Sequence, residues 1–375
     1  METRKYFLDW LRVGAFGLLI LFHVGMLYVT WDYNLKSPRL VPGLEWTMLT
    51  FSVWRMPLLF LISGVACTFL IGKLGAGPFA LDRLRRLGPV ILFGMFVVIP
   101  PQTYVELVAR GVTHQDYLRF WLFSYLRADQ TLVAPLGKTM PTWDHLWFLV
   151  YLLVYSPVFA LTVALARRAG GGLGGRRVSV AVLLVAPALW LAASNVLIDV
   201  AAPLTHDLVH DWGGHLKWIG MFATGVACAA RSEFWDALRD HRGPLAVAAG
   251  VLLAAQTLSQ GLIWSAVSGL YAWTAICAVC GYAYRYLDRP SALLARLNEA
   301  VLPVYVLHQP ILLVAAYWLF PVRLPLPLEA LLLAGITGLG ALVLYEVAIR
   351  PFTPMRFLFG LKTQPRAGRA AALAT

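Results

Sequence analysis

The chain has 375 residues, of which 59% are hydrophobic and only 13% charged, with a mean hydropathy of +0.70. Soluble globular domains carry about a quarter charged residues, so a large water-soluble core is excluded and a polytopic membrane protein is indicated. The net charge of +12 does not mark a nucleic-acid binder, because the basic residues fall in short clusters between apolar stretches, the pattern of cytoplasmic loops.

A membrane-crossing helix needs about 20 apolar residues. Ten such helices are expected, making the chain all-α, at residues 7–29, 48–71, 85–105, 145–166, 179–199, 213–231, 244–264, 266–285, 299–320 and 328–349. With the N-terminus inside, 22 of the 31 Lys and Arg fall in inner segments and seven in outer loops. Positive charge is retained on the cytoplasmic side, so both termini are expected there. The first apolar stretch holds Arg12 and His23 and lacks a small-residue cleavage site, which reads as a retained helix rather than a signal peptide. The outer loop at 106–144 is rich in aromatic and charged residues and long enough to fold over the outer end of the helices. Residues 169–175 are a glycine-rich linker without the Lys-Ser/Thr of a phosphate loop. Residues 1–363 are expected to form a single transmembrane domain and 364–375 a disordered cytoplasmic tail. Cys67, Cys228, Cys277 and Cys280 lie inside apolar stretches, so no disulfide framework is implied.

Ionisable side chains at membrane depth are costly and mark function by default. Arg12 and His23 are eleven residues apart on the first helix, which places them on one face about 16 Å apart along the axis. That pairs an anion anchor near the inner surface with a buried general base. Arg83 and Arg86 open the third helix from the inside, where guanidinium groups and a helix N-terminus together suit phosphate. Arg55 sits in the outer half of the second helix, followed by Ser63-Gly64, a pair that permits close helix approach. Asp144, His145 and Trp147 enter the fourth helix from outside, with Asp144 a plausible cap and His145 beside an aromatic wall suited to sugar. Tyr305 and His308 lie between Pro303 and Pro310, whose missing N–H groups free backbone carbonyls and bend the helix. His206, His210 and His215 have zinc-like spacing, but lie in an outer loop with no assured helix, so no metal site is expected.

Taken together these motifs resemble the acyltransferase 3 family of integral-membrane O-acyltransferases. The resemblance is carried by Arg12-X10-His23, the Phe/Leu-rich run ending in Ser63-Gly64, Arg83-X-X-Arg86-Leu-X-Pro89 and Tyr305-X-X-His308-X-Pro310. It spans residues 4 to 363. The surroundings of Arg55, His145 and Glu346 are most similar to the branch containing periplasmic glucan succinyltransferases. The resemblance implies transfer of an acetyl or succinyl group from cytoplasmic acyl-CoA to a hydroxyl of an extracytoplasmic glycan or similar acceptor, at the bacterial inner membrane. It implies that Arg12, Arg83 and Arg86 hold the CoA phosphates and that His23 is the base. His308 would orient the acceptor, donate to the oxyanion or become acylated. Arg55, Ser63, Asp144, His145, Trp147 and Tyr305 would line the acceptor route. The co-substrate is acyl-CoA; membrane lipid is the other partner, and neither metal nor nucleic acid is expected. The rival reading is a proton-coupled secondary transporter, which proline-broken helices and buried His and Arg residues also fit. Against it stand the absence of a detectable repeat and of buried carboxylate pairs.

Overall fold

The computed structural model describes residues 5–171 and 178–362. The tail at 364–375 and most of the glycine-rich linker lie outside these. Every regular element among the described residues is helical: α1 (Tyr6–Met26), α2 (Leu44–Leu74), α3 (Ala76–Phe93), α4 (Pro100–Ala109), the short α5 (Tyr117–Arg119), α6 (Trp147–Arg168), α7 (Val180–Val200), α8 (Trp212–Cys228), α9 (Ser232–Asp240), α10 (Arg242–Leu258), α11 (Gly261–Leu287), α12 (Ala292–Leu319), α13 (Leu326–Leu344) and α14 (Thr353–Leu358). Three π-helical stretches, Gly94–Val98, Phe120–Tyr125 and Tyr345–Ile349, extend α3, α5 and α13.

Among the described residues eight stretches are long and apolar enough to cross a membrane: Tyr6–Met26, Leu44–Leu74, Ala76–Ala109, Asp144–Arg168, Val180–Val200, Gly261–Leu287, Ala292–Val322 and Leu326–Ile349. This is a multi-pass membrane protein. The two other expected spans coincide with α8 and α10, each of 17 residues, or about 26 Å of helix. The expected span at 244–264 stops early because Ser259 and Gln260 take extended backbone and break the helix before Gly261.

The described residues group into two compact units. The first takes residues 5–22, 41–81 and 151–298, and its helices touch through glycine. A Cβ on Gly64 would lie 2.0 Å from the carbonyl oxygen of Phe222, and one on Gly225 the same distance from that of Leu61. Helices α2 and α8 therefore meet backbone to backbone, as the Ser63-Gly64 pair suggested. Gly269 approaches Ala192 and Gly281 approaches Leu238 in the same way. Lipid offers no hydrophobic drive between helices, so small residues that let backbones close up supply the contact energy. Gly64→Leu is accordingly expected to separate α2 from α8 and cost about 3 kcal/mol or more, read as a lower melting temperature in detergent.

The second unit takes His23–Leu40, Asp82–Val150 and residues 299–362. The long loop at 106–144, expected on the outer side, is folded in it. Leu107, Phe120, Tyr125, Val133 and Met140 form a small buried core covered by Tyr104, Tyr117 and Trp121. The segment after α1 is tied to the start of α13, where buried Glu329 accepts from Tyr28 Oη at 3.0 Å and Arg39 at 2.7 Å. At the other end Arg86 Nε donates to the Gly360 carbonyl at 2.9 Å. Gly360 has φ +67°, and a Cβ there would meet the Arg86 carbonyl, so glycine is required at that turn.

Candidate active site

Three helical segments of the second unit bring three imidazoles together. His23, in the last turn of α1, places Nδ1 2.9 Å from Nε2 of His308 on α12, with the rings stacked at 4.9 Å between centroids. His308 is fully buried, and its Nδ1 lies 2.6 Å from the Tyr305 carbonyl one turn back. Tyr33 also stacks on His23, with ring centroids 5.8 Å apart and planes 8° from parallel. His145 stands edge-on to His308, at 5.2 Å.

The proline after this motif explains how His145 is held. A residue in an α-helix donates its N–H to the carbonyl four residues earlier, and Pro310 has none to give. The carbonyl so released is that of Val306, and His145 Nε2 lies 3.0 Å from it. A carbonyl only accepts, so the proton is on Nε2 and a neutral ring carries its lone pair on Nδ1. That Nδ1 is buried without a hydrogen-bond partner. Tyr305 closes the arrangement by donating its hydroxyl to the His145 carbonyl. A buried acceptor lacking a donor is costly, and a ligand hydroxyl would satisfy it.

Beside the imidazoles is a carboxylate held by carboxamides. Asp144 accepts from Gln102 Nε2 at 2.8 Å, Asn34 Nδ2 at 3.2 Å and Gln309 Nε2 at 3.1 Å. Its φ of +37° is unusual for a residue other than glycine, and such strain persists where surrounding bonds enforce it. Asn34 Nδ2 also donates to Glu106 at 2.7 Å. Buried Glu106 is paired with Lys138 at 2.6 Å and Arg110 at 3.1 Å. Burial, and then the charges of Asp144 and Glu106, hold the Tyr33 phenol well above its ordinary range. Tyr33 is thus a fixed hydroxyl whose oxygen, like Gln102 Oε1, is buried without a partner. This cluster offers hydrogen bonds in several directions to a ligand rich in hydroxyls. Asp144→Ala is expected to remove the acceptor shared by three carboxamides, with Asn34 keeping its bond to Glu106, and to raise the KM for such a ligand about tenfold, with a smaller change in kcat. Initial rates at varied acceptor concentration check this.

The remaining expected residues are placed as follows. Trp147 opens α6, half-buried. Ser63 donates its hydroxyl back to the Leu59 carbonyl at 2.7 Å, within α2. Arg12 is held by Asn298, through Nε at 3.0 Å, and by Asp9 at 3.2 Å. Arg83 pairs with Asp82 at 2.5 Å. Arg55, in the first unit, is 3% exposed. Its guanidinium carbon lies 4.2 Å from the centre of the Phe22 ring, while Nε and Nη1 have no hydrogen-bond partner. Of the zinc-like histidines, His215 uses both ring nitrogens, on Tyr155 Oη at 2.9 Å and the Leu208 carbonyl at 2.7 Å. His210 pairs with Asp207 at 2.5 Å. Among the described residues no three His, Cys, Asp or Glu side chains are arranged to hold a metal.

Sequence reasoning missed Tyr33, Asn34, Gln102, Glu106, Lys138 and Gln309. Only Gln309, inside the Tyr305-to-Pro310 motif, and Glu106, an acid at the end of an apolar stretch, carried a signal that could have found them.

Comparison with known proteins agrees with this picture. Residues 5–346 match the acyltransferase domain of the acyltransferase 3 family. Among similar proteins are the glucans biosynthesis protein C of Salmonella agona (strain SL483) and of Salmonella paratyphi A (strain ATCC 9150 / SARB42). Each is 23% identical over 395 residues, covering 99% of this chain and 98% of the relative. No solved structure matches. With the family domain running through nearly every described helix, the chain belongs to the acyltransferase 3 family and is a multi-pass membrane acyltransferase.

Proposed function

We propose that the protein transfers an acyl group from cytoplasmic acyl-CoA to a hydroxyl of an extracytoplasmic glycan, across the inner membrane of a bacterium, with both termini on the cytoplasmic side. The observation that carries this reading is the pairing of half-buried His23 with buried His308 beside the carboxamide-held Asp144. It sets a base against a surface built for hydroxyl groups. The glucan-related names of the relatives support a glycan acceptor, and family membership favours transfer over secondary transport.

In this reading Arg12, Arg83 and Arg86 bind the CoA phosphates, for which guanidinium is suited by charge and by its fork of donors. The acceptor hydroxyl attacks the thioester carbonyl. Its proton passes to His23 as the C–O bond forms. The tetrahedral intermediate expels the thiolate, which takes the proton back from the imidazolium, so ester and free thiol leave with the base restored. His145 Nδ1 and Tyr33 fix the acceptor through its other hydroxyls. The acyl group is acetyl or succinyl, and buried Arg55 favours the acid-terminated one. The single-domain assignment for residues 1–363 belongs to the same proposal.

The test is purified protein in detergent, labelled acyl-CoA and neutral glucans. Label on the glycan in the absence of any membrane gradient supports transfer. Binding of glycan without label would overturn it.

A further inference from the structure

We propose that His308 is a positioning residue whose hydrogen bond to the Tyr305 carbonyl dictates which nitrogen of His23 is basic. The inference rests on His23 acting as the base. It follows from the order of donors and acceptors along one line of atoms. The Tyr305 carbonyl can only accept, so the nitrogen facing it at 2.6 Å, His308 Nδ1, carries a proton. In a neutral His308 this leaves Nε2 with the lone pair. Nε2 faces His23 Nδ1 at 2.9 Å, so that nitrogen must donate. A neutral His23 with its proton on Nδ1 has its lone pair on Nε2, the ring atom turned away from His308. Backbone on α12 thus fixes the reactive atom on α1 through one intervening ring. His308 is fully buried and lies in contact with the His23, His145 and Tyr305 rings, so the ring has little room to turn over and reverse the order. Its role differs from holding the acceptor, from donating to an oxyanion or from carrying an acyl group. In each of those His308 would have to present Nε2 to the ligand, and here Nε2 is spent on His23.

The full-length protein, labelled with ¹⁵N-histidine in detergent, reads this directly. Protonated and lone-pair imidazole nitrogens resonate far apart, and His23→Gln identifies the His23 pair by its loss. A protonated Nδ1 and a lone-pair Nε2 on His23 are expected. A proton on His23 Nε2 in the wild-type protein would overturn the inference, whether or not any variant folds. In His308→Leu the His23 proton is expected to redistribute toward Nε2, with kcat for acyl transfer down about 10²-fold and acceptor KM little changed. His308→Gln, whose amide oxygen stands where Nε2 was, should restore kcat to within about tenfold of wild type. Equal losses in the two variants with an unmoved His23 tautomer would also overturn it. Absence of transfer by wild-type protein with the expected tautomer present would instead sink the acyltransfer reading, and would leave this hydrogen-bond order supported.

Discussion

Replacing His23 by alanine is expected to lower kcat for acyl transfer by about 10²–10⁴-fold, the usual range for a general base, while the melting temperature changes little. The two halves of that expectation have different causes. The rate falls because an alcohol is a poor nucleophile at neutral pH, and nothing else in the cluster is placed to take its proton. His308 has both ring nitrogens occupied, one by the Tyr305 carbonyl and one by His23 itself. His145 has its lone pair on Nδ1 and is better suited to hold a hydroxyl than to relay its proton onward. The fold survives because His23 ends α1 rather than filling a core, and its loss still leaves His308 bonded to the Tyr305 carbonyl. The double variant His23→Ala/His308→Leu sharpens the point. If His308 acts only through His23, the second substitution adds almost nothing to the first, whereas independent roles would multiply. Wild-type turnover in purified His23→Ala would end the assignment.

The membrane architecture was legible because lipid imposes one rule: backbone polar groups must be satisfied internally, so apolar runs become helices. Eight of the ten expected spans correspond to helices meeting the full length and hydropathy of a crossing. The other two are 17-residue helices whose ends a count of apolar residues overestimates. The histidines were legible for the same reason, since an imidazole within an apolar stretch stands out against leucine and valine. Asn34, Gln102 and Lys138 were not. They come from a loop, a π-interrupted helix and the folded segment before α6, and neither an amide outside a motif nor a loop lysine gives a signal until folding brings the amides to Asp144 and Lys138 to Glu106. Their grouping depends on contacts across more than 30 residues of chain, such as Asn34 with Asp144, and no local pattern encodes those. Pro310 was seen as a helix bend. That it frees one particular carbonyl for His145 needed the geometry.

Arg55→Met is expected to raise stability and lower activity at once. A guanidinium that is 3% exposed, with Nε and Nη1 unpaired, has given up its water and gained only the face of Phe22. That contact returns about 1–2 kcal/mol, less than the desolvation of an ion costs. An apolar side chain of similar volume in place of a poorly compensated buried charge is often neutral or stabilising by about 1–4 kcal/mol. A melting temperature for Arg55→Met at or above wild type is therefore expected. A residue that costs stability in the empty protein is explained if a ligand repays it. The ligand must be anionic and accept hydrogen bonds, as a carboxylate does. An acid-terminated acyl chain is the part of the donor that meets this description. Two charge-assisted hydrogen bonds are worth about 3 kcal/mol or more, roughly 10²-fold or greater in selectivity. Wild-type protein should then transfer succinyl from succinyl-CoA in preference to acetyl from acetyl-CoA. Arg55→Met should lose succinyl transfer by that factor and keep acetyl transfer. Competition between the two donors, differently labelled, measures the ratio in one tube. Equal loss of both would assign Arg55 to helix packing, and a destabilised Arg55→Met would show that its charge is already compensated.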